Sequence, residues 1–278
     1  MRNGNAAGSV ATSKPRQGRI NRELLKENVE LYSIMLPVLV LIFIFCYVPM
    51  YGIVIAFQKY APGRPFLAFD GSVKWVGLKH FTDFINSVYF GRLIGNTIKL
   101  SLLNLVFGFP LPIIFALLLN EVRQARLRKV CQTISYLPYF ISMVVVAGLV
   151  VSFIQTNGLF NNLAAAMGLE RSAWRNSPSA FPVIYTITNV WKSFGFNSIL
   201  YMSAITAIDT SLYESARLDG ATRMQQVIHV TIPSIMPTIA IMLIMAVGGI
   251  MGSNTALILL LYTSATYETA DVIGTYIY

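Results

Sequence analysis

The sequence predicts an all-α protein, a polytopic membrane helical bundle with five membrane-spanning helices. Of its 278 residues, 55% are hydrophobic and only 12% are charged, whereas soluble domains carry about 25% charged residues. The apolar residues are gathered in long uncharged runs, and a bilayer core needs about 20 helical residues to be crossed. The net charge of +9 is spread over loops and forms no basic stripe, so it indicates loop topology rather than nucleic-acid binding.

The chain begins with a polar segment that precedes the first apolar run. Residues 1–30 are basic, and the part up to about Gly18 is rich in small residues, so we expect disorder there. No short apolar core with a cleavage site follows, which argues against a secretory signal. Residues 21–30 predict an amphipathic helix leading into the membrane. We therefore divide the chain into an N-terminal segment, 1–30, and a transmembrane domain, 31–278.

Each predicted span is a long apolar run, and the runs are separated by polar loops. The five runs cover residues 32–57, 100–119, 133–154, 182–208 and 233–262. We expect a long loop over 58–94, with an interfacial helix around 81–90. Four basic residues lie in the short loop 121–129, and this is the strongest indication of a cytoplasmic loop. The basic N-terminus lies two spans away and is therefore also predicted to be cytoplasmic.

The sequence lacks the residue patterns of an enzyme or a metal site. It contains no Walker A pattern of Gly, four residues and Gly-Lys-Ser/Thr, and no Ser/His/Asp arrangement for catalysis. The two histidines, His80 and His229, belong to different loops. The two cysteines, Cys46 and Cys131, lie far apart, which gives neither a disulfide framework nor metal-ligand spacing. We predict no catalytic residue and no bound metal in this chain.

The polar segment 209–233 lies between the fourth and fifth apolar runs. Ser211 and Glu214 are spaced as a capping box, in which each side chain satisfies a free N–H of the other end. Gly220 is placed to end that helix in a left-handed conformation. Thr222 and Gln225 form a second capping box, and Pro233 is expected to interrupt the helix before the membrane. The segment therefore predicts two short helices joined by a glycine turn. A DNA-reading helix-turn-helix has similar local features, but its place between two spans argues against that alternative.

This segment resembles the EAA loop of binding-protein-dependent ABC importer permeases. The family pattern is Glu-Ala-Ala, three residues, Gly, nine residues, Ile, one residue and Leu-Pro. The chain has Glu214-Ser215-Ala216, then Gly220, Val230 and Ile232-Pro233, so it departs from the pattern only at Ser215, Val230 and Ile232. Asp219-Gly220-Ala221 is similar to the variant of carbohydrate importers of the maltose-transporter type. Further similarity to permeases for large oligosaccharides is carried by Tyr136-Leu137-Pro138, Trp191-Lys192-Ser193 and the run 267–271.

The resemblance implies a type I ABC importer transmembrane domain in the cytoplasmic membrane of a bacterium. ATP and Mg would be bound by two separate ATPase subunits, and the other partners would be a second permease subunit and an extracytoplasmic substrate-binding protein. The loop would enter a cleft on one ATPase. The implied ATPase-coupling residues are Glu214, Ser215, Ala216, Asp219, Gly220 and Ala221. Relatives have a sixth span after the region 267–278, and this chain stops before it. Asn254 stands where relatives often have an acidic or amide residue after the glycines of the fifth span.

The fourth run carries the candidate substrate path. Asn189, Ser193, Asn197 and Tyr201 recur every four residues and so share one face of a helix. Lys192 lies beside them, roughly 15 Å from the start of the run and so near the bilayer midplane. Amides, hydroxyls and neighbouring aromatic rings suit a sugar. The alternative is helix–helix packing through polar residues, with a lysine that reaches the interface or pairs with the partner permease.

Two other classes of protein remain as alternatives to a sugar importer. An ion-gradient-driven transporter or channel would be expected to carry carboxylates inside its spans or an inverted repeat, and the sequence shows neither. An ABC permease for a non-sugar substrate would share the coupling loop. The sequence contains no catalytic set of residues, which argues against a membrane enzyme.

Overall fold

The computed structural model describes residues 22–61, 63 and 73–278, and in this part of the chain it is helical without a β-sheet. The predicted disorder before Gly18 lies outside the described residues. The chain divides into two compact units, residues 1–86 and 87–278. The all-α prediction is confirmed. Among the described residues, four helical stretches are long and apolar enough to cross a membrane, and they are Asn28–Phe57, Phe90–Glu121, Met143–Ala166 and Arg223–Gly248.

The first unit consists of the first span and a short interfacial region. Helix α1 covers Arg22–Ile42 and continues through a π-helical segment, Phe43–Tyr47, a short helix α2, Val48–Met50, and a 3-10 segment, Tyr51–Phe57. Helix α3, Lys79–Ile85, overlaps the predicted interfacial helix 81–90. It starts two residues before the predicted start and ends five residues before the predicted end. The imidazole of His80 lies 3.0 Å from the Gln58 carbonyl oxygen and ties α3 to the end of the span.

The second unit begins with two nearly continuous helices. Helix α4, Phe90–Gly108, and helix α5, Pro110–Glu121, meet at Phe109. Pro110 occupies the first position of α5, where its missing N–H removes no helical hydrogen bond. The second span therefore begins about ten residues before the predicted start at residue 100. The predicted loop 58–94 ends correspondingly earlier.

The third span differs from its prediction because it is broken. Helix α6 covers Ala125–Phe140 and helix α7 covers Met143–Ile154, so the single helix predicted over 133–154 is wrong. Residues 141–142 are extended, and the Ser142 hydroxyl accepts a hydrogen bond from the Val145 amide, capping α7. Pro138 lies near the end of α6, where its ring disfavours further helix. Helix α8, Leu159–Ala166, follows.

Helix α9, Phe181–Thr206, is the central helix of the second unit. Its 26 residues give it a length of about 39 Å, which matches the predicted fourth span. It is more polar than the four apolar stretches, and it tolerates this because it packs against α4, α5, α6 and α7. A buried apolar cluster surrounds each end, around Phe181 and Tyr185 at one and Tyr201 and Ile205 at the other.

The chain after α9 forms the loop helices and the last span. The remaining helices are α10, Thr210–Leu218; α11, Arg223–Gln226; α12, Ile232–Gly248; α13, Thr255–Leu261; α14, Tyr267–Ala270; and α15, Ile273–Ile277. The single span predicted over 233–262 is wrong, because the helix ends at Gly248 and α13 starts only at Thr255. The interruption falls where Gly249 and Gly252 lower the helix propensity.

Candidate functional site

The loop helix α10 starts two residues earlier than the sequence suggested. The side chain of Asp209 accepts a hydrogen bond from the Ser211 amide at 2.9 Å and caps the helix. This hydrogen bond to the carboxylate lowers the pKa of Asp209 below its ordinary value of 3.8. The predicted capping box of Ser211 and Glu214 is therefore wrong. Glu214 is exposed, and no described residue makes a hydrogen bond or an ion pair with its carboxylate.

The turn after α10 is a Schellman motif centred on Gly220. The Ala221 amide donates to the Ala216 carbonyl at 2.9 Å, and the Gly220 amide donates to the Arg217 carbonyl at 3.0 Å. Gly220 has a φ of 78°, in the left-handed region. The predicted glycine turn is confirmed. The turn satisfies the last carbonyls of α10 and sets the direction in which the chain leaves it.

The second loop helix begins at the predicted cap but does not stop at the predicted proline. Thr222 and Gln225 form the expected capping box. The helix then passes through a π-helical segment, Val227–Thr231, directly into α12, so the predicted interruption at Pro233 is wrong. The Ile232 amide donates to the Val227 carbonyl, five residues back. This extra residue per turn relieves the backbone where a proline ring would meet the preceding turn.

Two side-chain contacts fasten the loop to the rest of the second unit. The Tyr213 hydroxyl lies 2.9 Å from the Thr231 hydroxyl, which joins α10 to the π-helical segment. Arg223 lies 3.5 Å from the Glu121 carboxylate, which joins the start of α11 to the end of α5. These contacts connect α10 to the segment that leads into α12, and α11 to the end of α5.

The residues implied to couple to an ATPase share one surface of this loop. Glu214, Ser215, Asp219 and Gly220 are exposed, and Ala216 and Ala221 are half-buried. Four of the six line a cavity of about 260 Å³ beside the turn, and these four are Ala216, Asp219, Gly220 and Ala221. Glu214 and Ser215 are not among the residues that line this cavity.

A second cavity, of about 530 Å³, lies between α4, α5, α9 and α12. Four of the five predicted substrate-path residues line it, namely Asn189, Ser193, Asn197 and Tyr201. Glycines 249 and 252, in the interruption after α12, form part of the opposite wall. The Ser193 hydroxyl donates to the Asn189 carbonyl of its own helix at 2.8 Å.

The polar wall of this cavity is a chain of hydrogen bonds that crosses three parts of the fold. The Asn189 amide group donates to the Asn104 carbonyl oxygen at 3.2 Å and accepts from the Asn254 amide group at 3.0 Å. The Tyr185 hydroxyl accepts from the Asn254 backbone N–H at 2.9 Å. The Ser101 hydroxyl is buried at the same cavity and has no partner among the described residues.

Four members of this wall were not predicted as site residues, and they are Ser101, Asn104, Tyr185 and Asn254. Asn104 and Ser101 are polar positions within an apolar run, and that alone could have marked them. Tyr185 lies one turn before Asn189, on the same face of α9. Asn254 follows the glycines of the fifth run, and its contact with Asn189 depends on the folded arrangement.

Lys192 is placed away from this cavity. Its ammonium group donates to the backbone carbonyls of Pro138, Tyr139 and Ile141 at 3.2, 2.8 and 2.7 Å. The carbonyls of Pro138 and Tyr139 belong to the end of α6, and that of Ile141 belongs to the extended residue that follows it. Lys192 is not among the residues that line the cavity, unlike the other four candidate substrate-path residues.

Fold and site together define a polytopic membrane permease, with a polar cavity beside a central helix and a structured loop at one end of that helix. Residues 108–277 match the family described as the inner membrane component of binding-protein-dependent transport systems. The chain belongs to this family and is a membrane permease component of such a transporter.

The chain is similar to two permease proteins of Bacillus subtilis (strain 168). It is 39% identical over 274 residues to the polygalacturonan/rhamnogalacturonan transport system permease protein YteP, covering 98% of this chain and 84% of the relative. It is 36% identical over 255 residues to the protein LplB, covering 91% of this chain and 79% of the relative.

A solved structure is similar along most of the chain. It is that of a bacterial ABC transporter involved in the import of the acidic polysaccharide alginate, with a TM-score of 0.82 and 45% sequence identity. The match covers 92% of this chain and 85% of that one. A second structure, of the bacterial alginate ABC transporter in complex with a periplasmic protein that holds an alginate pentasaccharide, matches with a TM-score of 0.81.

Proposed function

We propose that this permease forms part of the translocation path for an oligosaccharide and is driven by ATPase subunits that dock on the loop 209–233. The docking residues are Glu214, Ser215, Ala216, Asp219, Gly220 and Ala221. Residues 1–30 are the N-terminal segment on the cytoplasmic side, and residues 31–278 are the permease domain. This assignment of sides rests on the basic loop 121–129, which lies two predicted spans after the basic N-terminus.

The exposed Glu214 beside the Gly220 turn is the observation that carries the ATPase-docking proposal. An exposed carboxylate with no partner among the described residues breaks no internal contact when it pairs with a cation of another subunit, and carboxylate–guanidinium pairs are directional. The small residues Ser215 and Ala216 allow a neighbouring backbone to come close. Because the loop is hydrogen-bonded through Tyr213 and joined to α9 and α12, docking would transmit motion to the helices that wall the cavity.

The cavity beside α9 supports an oligosaccharide as cargo. The asparagines 104, 189 and 254 present amide donors and acceptors, and Phe109 and Tyr201 present rings. A sugar needs both kinds of group. Its buried hydroxyls need hydrogen-bond partners, and the apolar faces of its ring pack against aromatic rings. Relatives named for polygalacturonan, rhamnogalacturonan and alginate transport support a polymer-derived sugar.

The proposed partners follow from the family and from the similar structure in complex with a periplasmic protein. They are a second permease subunit, two ATPase subunits that bind ATP and Mg, and an extracytoplasmic substrate-binding protein. The proposed location is the cytoplasmic membrane of a bacterium. The permease itself would perform no chemical step.

Reconstitution with candidate ATPase subunits tests this function. The chain is co-expressed with its partner permease and an ATPase, purified, and placed in proteoliposomes with a panel of oligosaccharides and the binding protein. We expect co-purification with the ATPase that is lost when residues 211–220 are deleted, and ATP-dependent uptake of one class of sugar. Uptake that follows an ion gradient without ATP would refute the proposal in favour of a secondary transporter. ATP-dependent uptake of a different solute would refute the sugar assignment alone.

A further inference from the structure

The broken third span leaves carbonyl groups that need hydrogen-bond donors. Helix α6 ends at Phe140 and α7 starts at Met143, so the last carbonyls of α6 lack the amide donors that a continuing helix would supply. Of these, the Pro138 carbonyl accepts a hydrogen bond from the Ile141 amide at 3.3 Å. The site faces α9 eleven residues after its start at Phe181, about 16 Å along the helix axis. Hydrocarbon supplies no water at such a depth, and interrupted helices persist there only when other protein groups satisfy the backbone.

Lys192 supplies those donors. An ammonium group has three N–H donors, and the three carbonyls of Pro138, Tyr139 and Ile141 lie within 3.2 Å of its nitrogen. The same nitrogen lies 5.6 Å from the centre of the Tyr139 ring, within the range of a cation–π contact. All three N–H donors of the Lys192 ammonium group are therefore used by one short stretch, residues 138–141.

Two further contacts bring α6 and α9 together within one turn of Lys192. The Phe196 ring stacks on the Tyr139 ring at 3.9 Å, with 4° between the planes. Gly195 packs so closely that a Cβ there would collide with the Ser135 carbonyl group. Lys192, Gly195 and Phe196 are spaced at i, i+3 and i+4, so they form one face of α9.

This face adjoins the face that borders the cavity, and Lys192 is not among the residues that line the cavity. Asn189, Ser193 and Asn197 are rotated about 60° to 140° from Lys192 around the helix, at about 100° per residue. Helix α9 also runs directly into the loop, since only residues 207–209 separate it from α10. One helix therefore carries the cavity wall, the contact with α6 and the connection to the loop.

We propose that Lys192 is a positioning residue for transport, which fastens the end of α6 to α9 so that the two helices move as one body when the loop moves. The extended residue Ser142, which follows the fastened Ile141 carbonyl, then takes up the displacement relative to α7. This inference rests on the proposed function for its link to the ATPase. It gives the intramembrane lysine a role in transmitting motion and none in touching the cargo.

Transport coupling in the reconstituted complex tests the proposal. Lys192→Met keeps the length and apolar stem of the side chain and removes its donors. We expect normal assembly and ATP hydrolysis, with uptake per ATP reduced about tenfold or more, the scale set by loss of charge-assisted hydrogen bonds. Lys192→Arg retains the charge and donors and should restore most of the coupling. Lys99→Met is the matched control, because Lys99 is an exposed lysine on α4 with no hydrogen bond to a described residue.

A distance measurement separates positioning from simple stabilisation. Spin labels are placed at Ile134 on α6 and Leu200 on α9, both exposed, after Cys46 and Cys131 are replaced by serine. In the otherwise native complex the label distance should stay the same with and without ATP. In Lys192→Met it should broaden or change with ATP.

Two results would overturn the inference. One is native coupling in Lys192→Met. The other is an α6–α9 distance that changes with ATP even when Lys192 is present. If the native complex shows no ATP-dependent uptake, the proposed function fails. The label distance in the purified complex without nucleotide still tests whether Lys192 attaches α6 to α9. A narrow distance distribution that stays narrow in Lys192→Met would refute this attachment.

Discussion

Replacement of Gly220 by alanine tests the geometry of the coupling loop most directly. Gly220 has a φ of 78°, and a Cβ at this position would meet no atom within 4 Å. The substitution therefore adds no steric collision within this chain, and its cost is conformational. A left-handed residue other than glycine costs about 1–2 kcal/mol, which would reduce the population of the native turn relative to other turns by about 5- to 30-fold.

A smaller population of the native turn means that α10 is less often held in its native orientation relative to α11. The Schellman hydrogen bonds of Gly220 and Ala221 depend on this turn, and α10 carries Glu214. We expect Gly220→Ala to weaken co-purification of the ATPase and to lower ATP-dependent uptake. Both are measured on the reconstituted complex, with the ATPase titrated so that weaker docking appears as a higher concentration at half-saturation.

Gly220→Asn is the matched control, because asparagine tolerates the left-handed region better than alanine. We expect it to dock and transport better than Gly220→Ala although its side chain is larger. If the two variants are equally impaired, the partner excludes any side chain here and the conformational explanation is wrong. If Gly220→Ala behaves as the native protein, the turn is not required for coupling.

Three other changes give distinct outcomes. Glu214→Ala removes an exposed carboxylate with no partner among the described residues, so we expect an unchanged Tm and strongly reduced ATP-dependent uptake; a lowered Tm would show an internal role instead. Asn189→Ala removes the contacts with Asn104 and Asn254, but water in the cavity can replace them, so we expect a loss of stability of about 1 kcal/mol or less and a larger loss of uptake, measured side by side. Asp209 has a lowered pKa because its carboxylate accepts the Ser211 amide. Its stabilisation of α10 is therefore present above the unfolded pKa and is lost as the pH falls through the folded pKa. Asp209→Asn keeps a cap and should remove this pH dependence of hydrogen exchange in the first turn of α10, after correction for intrinsic rates, and an equal dependence in both proteins would contradict the capping role.

Local chemistry explains which features of the loop could be predicted. The Gly220 turn and the capping box of Thr222 and Gln225 each involve residues close in sequence, and both are confirmed. The predicted N-cap of α10, Ser211, is wrong because Asp209 and Ser211 are both good capping residues. Only the backbone conformation decides between them, and it selects Asp209. Whether Pro233 interrupts the helix depends on the π-helical segment before it, and no residue pattern predicted that segment.

The membrane helices show the same division. Length and apolar character predict that a stretch crosses the bilayer, because burial in hydrocarbon is a property of the stretch itself. They do not show where a helix breaks. The interruptions at residues 141–142 and after Gly248 persist because groups from elsewhere in the chain, such as the Lys192 ammonium and the Tyr185 hydroxyl, hydrogen-bond the freed backbone.

By itself, the sequence determined the class of protein, the glycine turn of the loop 209–233 and one polar face of α9, since each depends on composition or on residues close in sequence. The tertiary structure alone decided that Asn189 meets Asn104 and Asn254, which lie 85 and 65 residues away. It also decided that Lys192 turns from that face to the end of α6. Such contacts depend on how separate helices pack, and the spacing of residues along one helix carries no information about the neighbour it will meet.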